Sequence, residues 1–247
     1  GVYYDVTPIR ATTTNATTFA ATNGSTTITV TDNSHGASAG DFVTFSSAVS
    51  LGGNITADIL NIEYEIVTVP SDNTYTITSS VAANASDTGN GGSGTDSAYQ
   101  INVGTDSAVP LSGWGAGSWG ESTWSSGGTS TVGLRTWTQS NFGEDLIFGP
   151  KRGQIYIWDA TNGVSTRAVL LSSLGGASDV PTIQNYILVS DINRFVFCFG
   201  ANTLGTTTQD PMLIRWSDQE DATNWTPSAT NQAGDLRLSR GSEIISA

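Results

Sequence analysis

The chain has 247 residues, of which only 13% are charged, and a formal net charge of −13. That length accommodates one large all-β domain or two smaller ones, and the acidic balance excludes non-specific wrapping of nucleic acid, because the surface would repel phosphate. A single cysteine, Cys198, and a single histidine, His35, exclude an intrachain disulfide and a zinc constellation, and the sequence has neither an apolar run long enough to span a bilayer nor a signal-peptide pattern.

The charge is unevenly spread. Residues 1–110 carry one base, Arg10, against ten acids; residues 111–247 carry eight bases, including the sole lysine Lys151, against twelve acids. The step implies two modules. Strong helix formers are scarce, and Thr, Val, Ile and aromatic residues dominate the periodic stretches, which favours strands and turns.

Residues 3–10 read as an extended lead. Period-two alternation follows at residues 27–31, 42–45, 64–69 and 75–78, with turn residues between them at Asn23-Gly24, His35-Gly36, Gly40-Asp41, Gly52-Gly53 and 70–73. Residues 56–61 suit one helical turn. These short strands predict a small antiparallel β-barrel or sandwich over residues 18–85. Residues 86–97, rich in Gly, Ser and Asp, read as a flexible linker. Residues 99–103 resume a strand that pairs with residues 3–9, so that 1–17 and 98–112 are extended strands of the main β domain and 18–85 is an insertion.

Residues 113–247 read as a propeller-like β region. Its clearest signal is a strand–turn–strand pattern that occurs twice, 41 residues apart: residues 146–148 and 155–158, then 187–189 and 195–199. An offset near 40–45 residues is typical of propeller blades. Residues 213–218 and 236–238 supply further strand fragments, and residues 241–247 resemble the opening of another. A propeller needs at least four blades to close, so this region reads as incomplete. The fold class expected is therefore all-β, with an inserted module ahead of a partial, propeller-like domain.

Few residues offer chemistry. Trp114, Trp119 and Trp124 stand five apart in a glycine-rich tract, a spacing that fits neither a helix face nor a strand face. Each can bury about 150–250 Å², and intersubunit or internal packing outweighs sugar stacking for them. Asp218, Glu220 and Asp221 form a carboxylate cluster without the spacing of a calcium loop, and read better as a solvated loop than as a metal site. His35 reads as a turn or strand-end residue making one hydrogen bond, and Cys198 as a buried small hydrophobe. Adjacent carboxylates such as Glu144 and Asp145 face opposite ways on a strand, so they do not supply a glycosidase pair. Five Asn-X-Ser/Thr triplets, at Asn15, Asn23, Asn54, Asn84 and Asn224, are about what composition alone produces. No cofactor site is expected.

Several tracts resemble a known family. Residues 113–120 (Gly-Trp-Gly-Ala-Gly-Ser-Trp-Gly), 141–146 (Asn-Phe-Gly-Glu-Asp-Leu), 155–159 (Ile-Tyr-Ile-Trp-Asp) and Arg215-Trp216-Ser217-Asp218 through Asn224-Trp225 resemble virion structural proteins of tailed bacteriophages. The nearest group is the packaged-DNA stabilisation or tail hub (tail accessory) proteins of short-tailed phages. The His35-Gly36-x-x-x-Gly40-Asp41-Phe42-Val43 stretch resembles small β modules inserted into phage tail proteins. The resemblance implies a non-enzymatic, multi-copy ring in the tail or neck, made in the host cytoplasm and carried in the virion, which helps retain packaged DNA and extends the DNA channel. The implied partners are other copies of the chain, neighbouring tail, neck or portal proteins, and packaged DNA in passing contact, with no membrane anchor. The alternative is a carbohydrate-binding receptor-recognition (adhesin) component of the tail, using the tryptophan loops.

Overall fold

A computed structural model describes residues 2–88, 94–104 and 135–247. The chain divides into two compact units, Ile9–Asn102 on the one hand and Gly1–Pro8 with Val103–Ala247 on the other. Both are built almost wholly from antiparallel strands, in three sheets.

The first unit contains β1 (Ile9–Ala21), β2 (Thr27–Thr31), β3 (Phe42–Ser46), a single-turn helix α1 (Ala57–Leu60), β4 (Glu63–Glu65), β5 (Thr68–Ser71), β6 (Thr74–Thr78), β7 (Asp87–Thr88) and β8 (Thr95–Gln100). Their order is β4-β3-β8-β1-β2-β6-β5, with β7 also on β1. Strand β1 runs for 13 residues and changes partner midway. Ile9 to Thr17 pair with β8, and Thr18 to Ala21 pair with β2. The ladder shifts register between Thr13 and Thr17, where Asn15 has φ +56°. An irregularity of this kind bends a strand and lets it serve two sheet halves.

The halves fold over one core of Phe19, Ile28, Val30, Val43, Phe45, Leu60, Ile66, Tyr75, Ile77 and Tyr99 among others. The sheet does not close into a barrel. Its two edges, β4 and β5, are consecutive pieces of the stretch 64–69 that alternation predicts as one strand. Buried Ile66 exchanges backbone hydrogen bonds with Gly40 and Asp41, whereas the Val67 N–H donates to the Thr76 carbonyl. The chain thus turns a corner at 66–67, from β3 to β6, and no ladder joins β4 to β5.

The unit extends beyond residues 18–85. Strand β8 takes in residues 95–97, which composition assigns to a linker, and it pairs with Ile9 to Thr17 instead of residues 3–9. The inward positions of β8 are Thr95, Ser97 and Tyr99, all buried. Their hydroxyls make this strand look polar in sequence although it lies in the core.

The second unit holds two four-stranded meanders: β9 (Trp137–Phe142), β10 (Asp145–Pro150), β11 (Tyr156–Trp158), β12 (Val169–Leu170), and then β13 (Tyr186–Val189), β14 (Val196–Phe199), β15 (Leu213–Trp216), β16 (Gly234–Arg237). Propeller blades use the same four-stranded antiparallel sheet. The leading strands abut: the Ile187 N–H donates to Thr138 Oγ1 and the Val189 N–H to Ser140 Oγ, both at 3.2 Å. Equivalent strands β9 and β13 start 49 residues apart. The 41-residue echo in the sequence aligns β10–β11, the second and third strands of one meander, with β13–β14, the first and second of the next. The mismatch arises because β9 (Trp-Thr-Gln-Ser-Asn-Phe) alternates polar residues and carries no apolar run.

The core of this unit gathers Ile147, Ile155, Ile157, Leu171, Ile187, Val189, Val196, Cys198 and Trp225 with smaller residues. Residues 5–7 lie along the outer edge of the first meander: the Val6 carbonyl accepts from the Ala168 N–H at 3.0 Å, and Arg167 pairs with Asp5. Residues 241–247 are not a strand. The Ile244 N–H donates to the Pro211 carbonyl and Glu243 meets the Asn185 amide at 3.1 Å beside the second meander, and Glu243 also meets Lys151 of the first meander at 3.4 Å.

Candidate functional site

Strand β15 has two faces of different chemistry, and strand alternation assigns them. Across the second meander, Ile187, Cys198, Arg215 and Asp235 are register partners and form one row. The row passes from the apolar core to the exposed edge strand β16. On the opposite face lie Leu188, Phe197 and Trp216 in one row, and Tyr186, Phe199, Ile214 and Leu236 in the next.

This opposite face is open. Its residues are half-buried, or exposed in the case of Leu188 (40%) and Leu236 (55%). Ring centroids are 6.3 Å apart for Tyr186–Phe199, 6.4 Å for Phe197–Phe199 and 6.3 Å for Phe197–Trp216; Phe195 adds a contact to Phe197 at 6.1 Å. Among the described residues these rings form one continuous cluster across strands β13, β14 and β15. Trp216 lies across Gly234, where a Cβ would fall 2.5 Å from its ring, and its indole N–H donates to the Gln232 carbonyl. A cluster of half-exposed rings on a sheet face ordinarily marks an interaction site.

The inward face of β15 places Arg215 at the floor of a partly open pocket of about 290 Å³. Arg215 is only 2% exposed. Its guanidinium donates to three backbone carbonyls, those of Asp179 (2.6 Å), Asn202 (3.3 Å) and Trp225 (3.4 Å). It therefore ties together the loops before β13, after β14 and before β16. Among the described residues no carboxylate lies within 4.0 Å of it. Burial lowers its pKa, opposed by the more distant fields of Cys198, Asp179 and Asp235, but a guanidinium stays charged at any ordinary pH. Val180, Asn202 and Ala177 complete the floor, and Ser172, Asp179, Gly205, Thr206 and Thr207 form an exposed rim.

Trp114, Trp119 and Trp124 lie outside the described residues. Asp218, Glu220 and Asp221 do not converge on a point. Asp218 Oδ1 accepts from the Gln219 and Gln232 amides, and Asp221 Oδ1 accepts from the Thr223 amide and hydroxyl. Glu220 sits in the turn between them at φ +58°. These carboxylates shape a loop, as the Asx-turn chemistry of Asp allows, and among the described residues no group of three or more metal-ligating side chains converges.

The His35 ring is buried and makes two hydrogen bonds where the sequence suggests one. Its Nδ1 accepts from the Ala37 N–H, so Nε2 carries the proton and donates to the Ser71 carbonyl at 3.2 Å. Its ring packs edge-on against Tyr75. Beside it runs a buried hydroxyl network: Tyr99 donates to Asp32 Oδ2 at 2.5 Å, Tyr75 and Tyr99 share a hydrogen at 3.1 Å, and Thr17 and Ser97 share one at 2.5 Å. Burial pushes both tyrosine pKa values well up, so the phenols stay neutral and act as donors. Cys198 is fully buried beside Arg215, and burial raises its thiol pKa, which makes it a packing residue and not a nucleophile.

Sequence reasoning placed Arg215 in a family-like tract but not in a site. Its burial depends on loops some 36 and 13 residues away, at Asp179 and Asn202, which no local pattern reveals. No described helix is long and apolar enough to cross a membrane. No protein-family model matches the chain, and no curated protein matches it. Among solved structures it is similar to a phage phi92 endosialidase, at 13% identity with a TM-score of 0.31; the match covers 96% of this chain and 33% of that one. The chain thus spans about a third of that protein's length, and the likeness is too distant to establish a shared fold.

Proposed function

We propose that this chain is a non-enzymatic structural protein of a phage tail or neck, which works by assembling in multiple copies as a hub or connector around the DNA channel. The observation that carries the reading is the open aromatic face of the second meander, formed by Tyr186, Leu188, Phe197, Phe199, Trp216 and Leu236. Its opposite face is buried in a core shared with the first meander. A face with this many half-exposed rings costs free energy in water, on the order of 25 cal/mol per Å² left exposed. A second copy that lays a sheet against it removes that cost. Among the described strands β16 is also an edge, bearing Asp235 and Arg237, the kind of charged edge that limits uncontrolled pairing.

The composition supports the same role. With one lysine in the chain, few long, mobile charged side chains must be ordered on assembly. The net charge of −13 fits a channel wall that DNA passes without adhering. Retention of packaged DNA and extension of the channel belong to this proposal, as do the virion location and the neighbouring tail, neck or portal proteins.

Sedimentation of the purified protein tests the reading. The chain is expected to form a discrete oligomer, and the exposed-site double variant Leu188→Glu/Leu236→Glu is expected to be monomeric with an unchanged circular dichroism spectrum. A wild-type chain that stays monomeric at high concentration and does not join virions overturns the proposal. So does tight binding to duplex DNA at physiological salt.

A further inference from the structure

The Arg215 pocket has no part in the assembly reading, yet it has the parts of a ligand site. Arg215 is 2% exposed and opens into a pocket of about 290 Å³. A guanidinium offers five N–H donors, and three bonds to backbone carbonyls engage this one. Carbonyl dipoles hold the cation in place but do not neutralise it. The nearest acidic groups, Asp179 and Asp235, act on it only from beyond ion-pair distance. Asp179 is occupied elsewhere, its Oδ2 accepting from the Thr226 hydroxyl at 2.5 Å. A buried charge without an adjacent counter-charge is costly, and pairing it recovers part of that cost.

The rim adds neutral donors. Ser172 and Thr207 are exposed and line the pocket, and among the described residues their hydroxyls have no hydrogen-bonding partner. The floor around Arg215 is apolar at Val180 and Ala177. A fixed cation, free hydroxyls and a small apolar wall match a compact molecule with one carboxylate and a short carbon skeleton.

Two features select a monoanion over a dianion. The Asp179 carboxylate stands on the rim, and the chain as a whole carries −13. Each additional negative charge on a ligand meets both, while only one cation receives it. We propose that this pocket binds a small organic monocarboxylate, with its carboxylate on Arg215 and its remaining polar atoms on the rim hydroxyls.

The test is a titration followed at the Arg215 side-chain Nε–H by nitrogen-15 NMR on the intact chain. The probes are acetate and lactate, with acetamide as the neutral isostere and sulfate as the dianion. Acetate and lactate are expected to shift the Arg215 signal saturably, with half-saturation on the order of 1–10 mM. Acetamide and sulfate are expected to bind at least about tenfold more weakly. The rim variant Thr207→Asp, at an exposed position, should keep the fold and weaken lactate binding about tenfold, because it adds a second negative charge at the mouth. No saturable shift at Arg215 with either carboxylate overturns the proposal, as does equal binding of acetamide. Undiminished lactate binding by a folded Thr207→Asp protein overturns it as well. All of these read out on single chains, so loss of oligomerisation does not affect them.

Discussion

At the residue scale, polar and reactive groups in the interior are explained by what they touch. Asp32 is buried with only hydroxyl donors on Oδ2, and its Oδ1 has no partner. Tyr99→Phe would leave that carboxylate with the long Thr17 contact at 3.4 Å alone. It should cost about 1–3 kcal/mol, measured as a lowered urea midpoint with an unchanged slope. Cys198, fully buried with its thiol pKa raised by burial, should be silent to Ellman's reagent in the native protein. It should react only as the second unit unfolds, and fast labelling of folded protein would contradict its placement. His35 and Cys198 show how far single residues could be read. Their apolar or turn-like neighbours identified both as structural, but the histidine's second bond is donated to the Ser71 carbonyl, 36 residues on.

At the element scale, alternation located the strands that have one apolar and one polar face, such as β2 and β6, whose bounds differ from the sequence reading by a residue at most. It missed β9 and all of β8 but its last two residues. In β9 the side chains facing β13 are Thr138 and Ser140, which accept backbone hydrogen bonds where an apolar contact would otherwise be needed. In β8 the buried face is hydroxyl-bearing. Both cases break the link between hydropathy and burial, on which periodicity reading depends.

The N-terminal segment is an element of this kind, held to the first meander by Val6 and by Asp5. Burial works to raise the Asp5 pKa, but the Thr7 hydroxyl and amide and the Arg167 guanidinium outweigh it and hold it below the usual carboxylate range. A depressed carboxylate stabilises the folded state above its unfolded pKa, and that contribution is lost as pH falls through the folded value. Acidification should therefore free residues 2–8 before the core unfolds, seen as faster hydrogen exchange at the Ala168 amide. Asp5→Asn should remove that pH dependence while speeding exchange at neutral pH. Because Asp5 is largely solvent-exposed, the effect should be small and should shrink with salt.

At the scale of the whole molecule, the first unit begins and ends on paired strands. Ile9 and Gln100 are antiparallel partners, so the chain enters and leaves that unit side by side. Each unit also has its own core. Replacing residues 9–102 with a short Gly-Ser linker should leave the meander unit cooperative in thermal unfolding, and residues 9–102 expressed alone should fold as a β protein. Failure of both to fold would show that the units depend on one another.

The sequence by itself determined the all-β class, the acidic balance and the lack of an intrachain disulfide, because composition and period-two alternation are local properties of the chain. Only the tertiary structure decided where the module ends, which strands of the two meanders correspond, and which face of the second meander stays open. It also decided that Arg215 is buried without a counter-ion. Each of these depends on hydrogen bonds and packing between residues tens of positions apart, where a hydroxyl or a backbone carbonyl replaces the apolar contact that a sequence pattern can register.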